Sequence, residues 1–366
     1  MVNNLTRKAI MCAFPAFVIA GSANALDVKV SGYVKLDATY DTDQRQGDFT
    51  YAATLSTGDE GDTKEGGFNM HARESRIKFT ASGNGYTAVI EGDFFGAAGG
   101  ENVSNSNGLR QRLAFVKTGN WLFGQSWSNF MDFMTWPTTL DFAGSPGVSF
   151  IRQAQIRYTN AGFSAALENP EARIVDATNT SLTSVDPLPD VTFKYRSDGD
   201  HMGFHASTVI RSIEADLGAD TESVTAIGAQ AGIVFKTDSG GKFGLKVIAG
   251  EPGRYQQEKF FFPDVILIDG DLEVIESTSF QLSYGQTLSN GSFNLGYGQL
   301  DIDDEFEAQV ATVGGFETVS EFHINRIWNV GKNMQYGIEV GYGEREDFSG
   351  DDGDNTRVQF SAKYSF

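Results

Sequence analysis

The chain has 366 residues, with 42 Gly, 29 Phe and 12 Tyr but only 8 Pro and a single Cys. Its formal charge of −20 argues against nucleic acid or an anionic membrane surface as a partner. No apolar stretch approaches the roughly 20 residues of a membrane-spanning helix; a helical membrane protein is excluded, whereas a large secreted β-sandwich or enzyme could share this composition.

Arg7 and Lys8 precede the apolar run Ala9 to Ala20 and the small-residue site Ala23-Asn24-Ala25. That order reads as a cleavable signal peptide over residues 1–25, with 26–366 as the mature domain. Cys12 lies inside the apolar run without a lipidation motif before it, so the mature chain has no cysteine and depends on hydrogen bonding and packing alone. Without Arg7 and Lys8, 26 basic residues face 48 acidic ones, a formal charge of −22.

The first predicted strand alternates cleanly. Val28, Val30, Val34, Leu36, Ala38 and Tyr40 share one parity, and Lys29, Ser31, Lys35, Asp37 and Thr39 the other. Membrane barrels alternate lipid-facing apolar and lumen-facing polar residues in this way, over roughly ten residues per strand. Fourteen further segments follow, at about 68–81, 86–95, 109–118, 121–127, 150–159, 162–169, 191–196, 201–211, 224–236, 242–250, 277–287, 292–300, 317–328 and 334–345. In a sixteenth and final strand, Val358, Phe360, Ala362, Tyr364 and Phe366 alternate with Arg357, Gln359, Ser361, Lys363 and Ser365. The second segment switches parity near Glu74, which predicts a bulge or a later start, and Arg326 falls on the apparent lipid face.

Short turns such as Ser82-Gly83-Asn84-Gly85, Gly119-Asn120 and Ser289-Asn290-Gly291 join alternate pairs. The intervening connections are mostly long and polar, for example Asp41 to Gly67 and Glu251 to Glu276. This alternation of short and long connections predicts an all-β fold, a 16-stranded antiparallel transmembrane barrel with both termini periplasmic. Tyr86, Phe94, Trp121, Tyr158, Phe163, Tyr195, Phe243, Phe293 and Trp328 lie near strand ends as interfacial girdle residues, although strands are enriched in aromatics anyway. Tyr364 and the terminal Phe366 form the kind of end signal that barrel-assembly machinery reads. Localisation in the Gram-negative outer membrane, among its lipid and lipopolysaccharide, follows.

A sixteen-stranded barrel is wide enough for an aqueous channel, and something must narrow it. Between the fifth and sixth strands, Ser126 to Ser149 carries Trp127, Asp132, Trp136, Asp141 and several Phe and Met residues. Such an apolar loop is expected to fold into the lumen as a constriction; the alternative is an external loop at a subunit contact. Lys35, Arg76, Lys78, Arg110, Arg112, Arg157, Lys194, Arg196 and Arg211 have or approach lumen parity, and Arg152 joins them near the constriction. The acidic residues cluster instead in external segments, such as Asp301, Asp303, Asp304 and Glu305. A basic channel inside an acidic chain favours anions, unless these charges pair with Glu91, Asp93 and Glu168 and only stabilise the barrel. Asp351-Asp352-Gly353-Asp354 lacks the spacing of a calcium loop. No G-x-S-x-G, P-loop or H-E-x-x-H occurs, and His201 and His205 would lie roughly 13 Å apart on a strand, so neither enzyme chemistry nor a metal or cofactor is expected.

Particular stretches carry a family resemblance: Ala72-Arg73-Glu74-Ser75-Arg76-Ile77-Lys78-Phe79, Glu91-Gly92-Asp93-Phe94-Phe95, Leu113-Ala114-Phe115-Val116-Lys117, Gly124-Gln125-Ser126-Trp127-Ser128-Asn129-Phe130, Ile151-Arg152-Gln153-Ala154-Gln155-Ile156-Arg157-Tyr158 and Leu167-Glu168-Asn169-Pro170. Over about 28–170 and the last strand the chain resembles the DcaP-like family of trimeric outer-membrane porins. The resemblance implies a homotrimer, an in-folded third loop, an arginine-lined constriction and uptake of small anionic solutes such as dicarboxylates. Some members carry an N-terminal helical extension; here the barrel starts almost directly after the cleavage site, so nothing about that extension carries over. The expected function is a passive, anion-preferring porin. The alternatives are a general or cation-leaning porin, or a plugged structural or adhesion barrel.

Overall fold

A backbone in lipid has no water to bond, so every amide and carbonyl must find a neighbouring strand. The computed structural model describes residues 26–100, 104–218, 220–303 and 307–366; the expected signal peptide, Asp304 and Glu305 lie outside them. The chain meets the hydrogen-bonding demand by closing sixteen antiparallel strands into one barrel. The strands are β1 (Asp27–Asp41), β2 (in two pieces, Gly67–His71 and Arg76–Gly83), β3 (Tyr86–Gly100), β4 (Ser106–Thr118), β5 (Trp121–Trp127), β6 (Arg152–Asn160), β7 (Phe163–Glu168) and β8 (Asp190–Asp198). They continue with β9 (Met202–Asp216), β10 (Thr221–Lys236), β11 (Gly241–Gly250), β12 (Ser277–Leu288), β13 (Gly291–Ile302), β14 (Thr318–Val330), β15 (Met334–Glu346) and β16 (Asp352–Ser365). Closure is made by β1 against β16, from Tyr33↔Ser365 to Asp41↔Arg357. Phe366 itself joins the seam, exchanging backbone hydrogen bonds of 3.1 and 3.0 Å with Gly32.

Side chains follow the pleat. Val34, Leu36, Ile338, Val340 and Phe360 face outward and are exposed, while their neighbours Lys35, Asp37, Glu339 and Gln359 face inward and are buried. Aromatic pairs band the turn end of the wall, including Trp121 with Tyr158 at 5.0 Å between ring centres and Phe163 with Tyr195 at 4.5 Å. Arg326 does have outward parity. Its head turns back to the short turn, donating to Ser292 O at 3.1 Å and Asn290 Oδ1 at 2.6 Å, and it stacks on Trp328 at 5.1 Å. A charge on the lipid face is tolerable there because it reaches the interface.

The parity switch near Glu74 is a bulge: β1 pairs Asp37 with His71 but Tyr33 with Arg76, a shift of one residue. The displaced Ser75 accepts the Lys35 amide through its Oγ at 3.0 Å. A second bulge, which parity counting passes over, lies between β3 and β4. Glu91 faces Leu113 and Gly92 faces Gln111, which leaves Arg112 as the extra residue. Such an insertion re-aims a side chain.

Several loops are more ordered than their polarity suggests. Residues Ile174–Asp176, Ser181–Ser184, Val265–Ile268 and Asp271–Val274 form a small sheet at the loop end. Beneath it, Val175, Phe262, Ile266 and Phe316 pack with Ala52, Leu55 and Leu300 in one buried cluster that ties four loops together. Short apolar islands inside polar loops gave this cap its core.

Ile338→Arg should destabilise the barrel by about 2–4 kcal/mol, the midplane cost of an arginine against lipid. Reversible denaturant unfolding in lipid vesicles measures it, and unchanged stability would mean that Ile338 does not face lipid.

Candidate channel lining and constriction

The β5–β6 loop (residues 128–151) brings its backbone inside the barrel, and its amides and carbonyls need partners there. Inward-facing wall residues supply them around more than half the circumference. At the base of the loop, Ser128 N bonds Ile151 O at 3.0 Å. Glu168 on β7 accepts Asn129 N at 2.7 Å, Ser207 on β9 donates to Phe130 O at 2.6 Å, and Lys194 on β8 donates to Met131 O at 2.9 Å. Further along, Ser283 on β12 holds Thr135 O and Asn325 on β14 holds Thr138 O, each at 2.7 Å. Finally, Glu339 on β15 accepts Leu140 N and Asp141 N at 2.8 and 2.9 Å, while Lys35 on β1 and Gln359 on β16 donate to Leu140 O.

The two loop carboxylates are tied into the wall. Asp132 accepts Arg196 at 2.7 Å and Met134 N at 2.8 Å, with Lys194 at 3.5 Å. Burial opposes its charge, but Lys194 and these partners outweigh that and hold its carboxyl below the usual range. Asp141 meets Arg357 at 3.3 Å and Thr50 N at 3.1 Å; Arg357 also clasps Asp41 through two bonds of 2.8 and 2.9 Å. Nearby, His323 bridges Glu321 and Glu339 at 3.1 and 3.4 Å. Glu321 accepts Ala52 N at 2.7 Å and Glu258 accepts Ala53 N at 3.0 Å, so the β1–β2 loop is gripped as well. Burial, with Glu321 beside it, pushes the Glu258 carboxyl well above its ordinary range.

On the opposite side the balance is basic. Arg110 makes a two-pronged contact with Asp93 at 2.9 and 2.8 Å. Arg112 bonds Glu91 and Asp93, each at 2.9 Å, and Arg76 lies 3.7 Å from Glu91. Arg152 has no carboxylate within salt-bridge distance among the described residues; it stacks on Trp127 at 4.6 Å and Phe150 at 5.3 Å. Arg112 also stacks on Trp127 and Phe142, each at 5.5 Å, and Arg110 on Phe95 at 5.1 Å. The rings touch one another in a continuous strip from Phe133 through Trp127, Phe150, Phe142 and Phe49 to Tyr51.

The remaining expected residues separate. Lys78 has inward parity and no ion pair among the described residues. Arg157 approaches Trp127 O at 3.5 Å. Lys35 and Arg211 are sealed, the first by Glu74 and Asp37, the second behind Asp264 at 3.1 Å. Trp136 packs against Phe133 and Phe150, and Tyr364 is exposed on the outer face. The acidic residues are not confined to external segments: Asp37, Asp41, Glu91, Asp93, Glu168, Glu321 and Glu339 are all buried on the inner side. The Glu321–His323–Glu339 clasp was hidden in the sequence, although the inward parity of all three residues was a readable signal.

The sequence profile of the DcaP outer membrane protein family matches residues 18–366. Among solved structures, the outer membrane channel DcaP of Acinetobacter baumannii is similar at a TM-score of 0.82 and 25% identity, over 95% of this chain and 100% of that one. An anion-selective porin from Comamonas acidovorans matches at 0.56 and 16% identity, over 93% and 100% of the two chains. The trimer form of OmpT from Vibrio cholerae matches at 0.53 and 12%, over 94% and 100%. The last two likenesses concern the fold. No curated protein sequence matches the chain.

Glu339→Ala should release the loop at Leu140 and Asp141 and strand His323 beside Glu321, costing about 3–5 kcal/mol. Single-channel recording should show a larger, noisier open conductance; an unchanged conductance would mean that this clasp does not set the channel width.

Proposed function

Because the chain belongs to the DcaP outer membrane protein family and is an outer-membrane porin, we propose that it mediates passive diffusion of small hydrophilic solutes with a preference for anions such as dicarboxylates. One observation carries this reading. Arg76, Arg110, Arg112 and Arg152 converge on a site that, among the described residues, holds only two carboxylates, Glu91 and Asp93. The surplus is positive and sits against low-dielectric aromatic walls, where fields from fixed charges are weakly screened. Guanidinium groups also match carboxylates with two parallel hydrogen bonds. Arg152 is the group least committed to the wall, and Lys78 adds a second unpaired cation. The loop 128–151 is the proposed constriction, and the function requires no bond-making chemistry, cofactor or metal.

We further propose that the working unit is a homotrimer with β3–β6 at its centre. β5 and β7 have only 7 and 6 residues, less than the ~9–11 that span a bilayer. Gln111 and Gln125 also have outward parity where lipid would demand apolar side chains. A second copy covering this face removes both problems. The long loops face the exterior, with the barrel inserted by the barrel-assembly machinery among lipid and lipopolysaccharide.

Purified protein in planar bilayers under a KCl gradient should give a reversal potential of the sign for anion preference. Arg110→Gln with Arg112→Gln should move that potential toward zero. A cation-selective sign would favour the reading in which the carboxylates dominate, and absence of conductance would favour a plugged barrel. For assembly, Gln125→Arg should shift light-scattering mass from trimer to monomer; a trimer of unchanged mass and thermal stability would place the interface elsewhere.

A further inference from the structure

The loop 128–151 arches over the inner faces of β9 to β12. One foot stands where Ser283 holds Thr135 O and where a Cβ on Gly232 would meet the Thr135 side chain at 2.8 Å. The other stands where a Cβ on Gly147 would lie 2.4 Å from Phe280 O and one on Gly298 would lie 1.8 Å from Pro146 O. Between the feet the ladder sets His205, Gly232, Lys246 and Gln281 side by side on consecutive strands.

Lys246 is completely buried, its Nζ has no hydrogen-bond partner among the described residues, and it lies 5.9 Å from the centre of the Trp136 ring. Around it, both amide atoms of Gln281, the Ser279 and Thr135 hydroxyls and the Trp136 indole N–H are also buried without partners. A buried ammonium persists only when its charge is compensated. Asp132 is within Coulombic reach, but its oxygens already serve Met134 N, Arg196 and Lys194, so two cations are set against it before Lys246 is counted. The unpartnered atoms are an ammonium, an amide NH₂, an indole N–H, two hydroxyls and the two ring nitrogens of His205, one a donor and one an acceptor in a neutral imidazole; the carbonyl oxygen of Gln281 accepts only. Nearly every group can donate.

We propose that the arch encloses a binding site for a small monovalent anion of the halide class, held by Lys246 with Gln281 and the Ser279 and Thr135 hydroxyls around it. The bound anion neutralises Lys246 and ties the loop to β11 and β12, so loop position depends on it. The proposal stands or falls independently of channel selectivity.

Crystals of the detergent-extracted protein soaked in bromide test it directly. An anomalous bromide peak within hydrogen-bonding distance of Lys246 Nζ is expected; no peak there, or density that refines as water alone, overturns the site. In solution, the thermal midpoint should be a few degrees higher in chloride than in gluconate at equal ionic strength, because an anion bound only by the folded state stabilises it. Lys246→Met should abolish that difference, whereas equal midpoints for the unsubstituted protein in the two salts contradict the proposal. Should the variant fail to assemble, the bromide map of the unsubstituted protein decides.

Discussion

The structure depends throughout on the demand that each buried backbone amide and carbonyl find a hydrogen-bonding partner. In lipid, that demand closes the sheet through the β1–β16 seam and leaves no free edge. Inside the barrel it governs the loop 128–151, whose backbone is removed from bulk water and must be held by side chains of the wall. Glu168, Ser207, Ser283, Asn325, Glu339 and Gln359 meet it in sequence around the lumen. The shape of the channel is therefore written in inward-facing polar residues rather than in the loop alone.

This arrangement divides the charges of the lumen into two groups. One group is structural: Arg357 between Asp41 and Asp141, Lys194 and Arg196 on Asp132, and Arg211 on Asp264 compensate one another and are largely lost to a passing solute. The other group surrounds Arg152, where arginines outnumber carboxylates and the aromatic strip replaces water on one side. A formal charge of −20 for the whole chain is thus no guide to the field around Arg152. Local pairing decides it.

Much of the fold was legible because period-two alternation and turn chemistry are local. The sixteen strands, the bulge near Glu74 and the outward parity of Arg326 could all be read from residue spacing. The bulge at Arg112 was not, because Arg110 and Arg112 share a parity and the disruption shows only in the partner strand's register. The cap over the loop end was missed because its apolar residues are scattered through four polar loops and meet only in three dimensions. The basic residues of the lumen were legible as a set, and so was pairing with Glu91 and Asp93, but the partners supplied through the in-folded loop were not. Asp132 meets Lys194 and Arg196, and Asp141 meets Arg357, from far along the chain, and neither that separation nor the acidic appearance of the chain discloses it.

Current through a single reconstituted channel, recorded while a short dicarboxylate is added on the loop side, addresses the proposed anion-guiding constriction most directly. Discrete interruptions are expected, with a frequency that rises with dicarboxylate concentration and a duration that exceeds that for the uncharged diamide of equal length. Interruptions of equal frequency and duration for both molecules, or none with either, would contradict it.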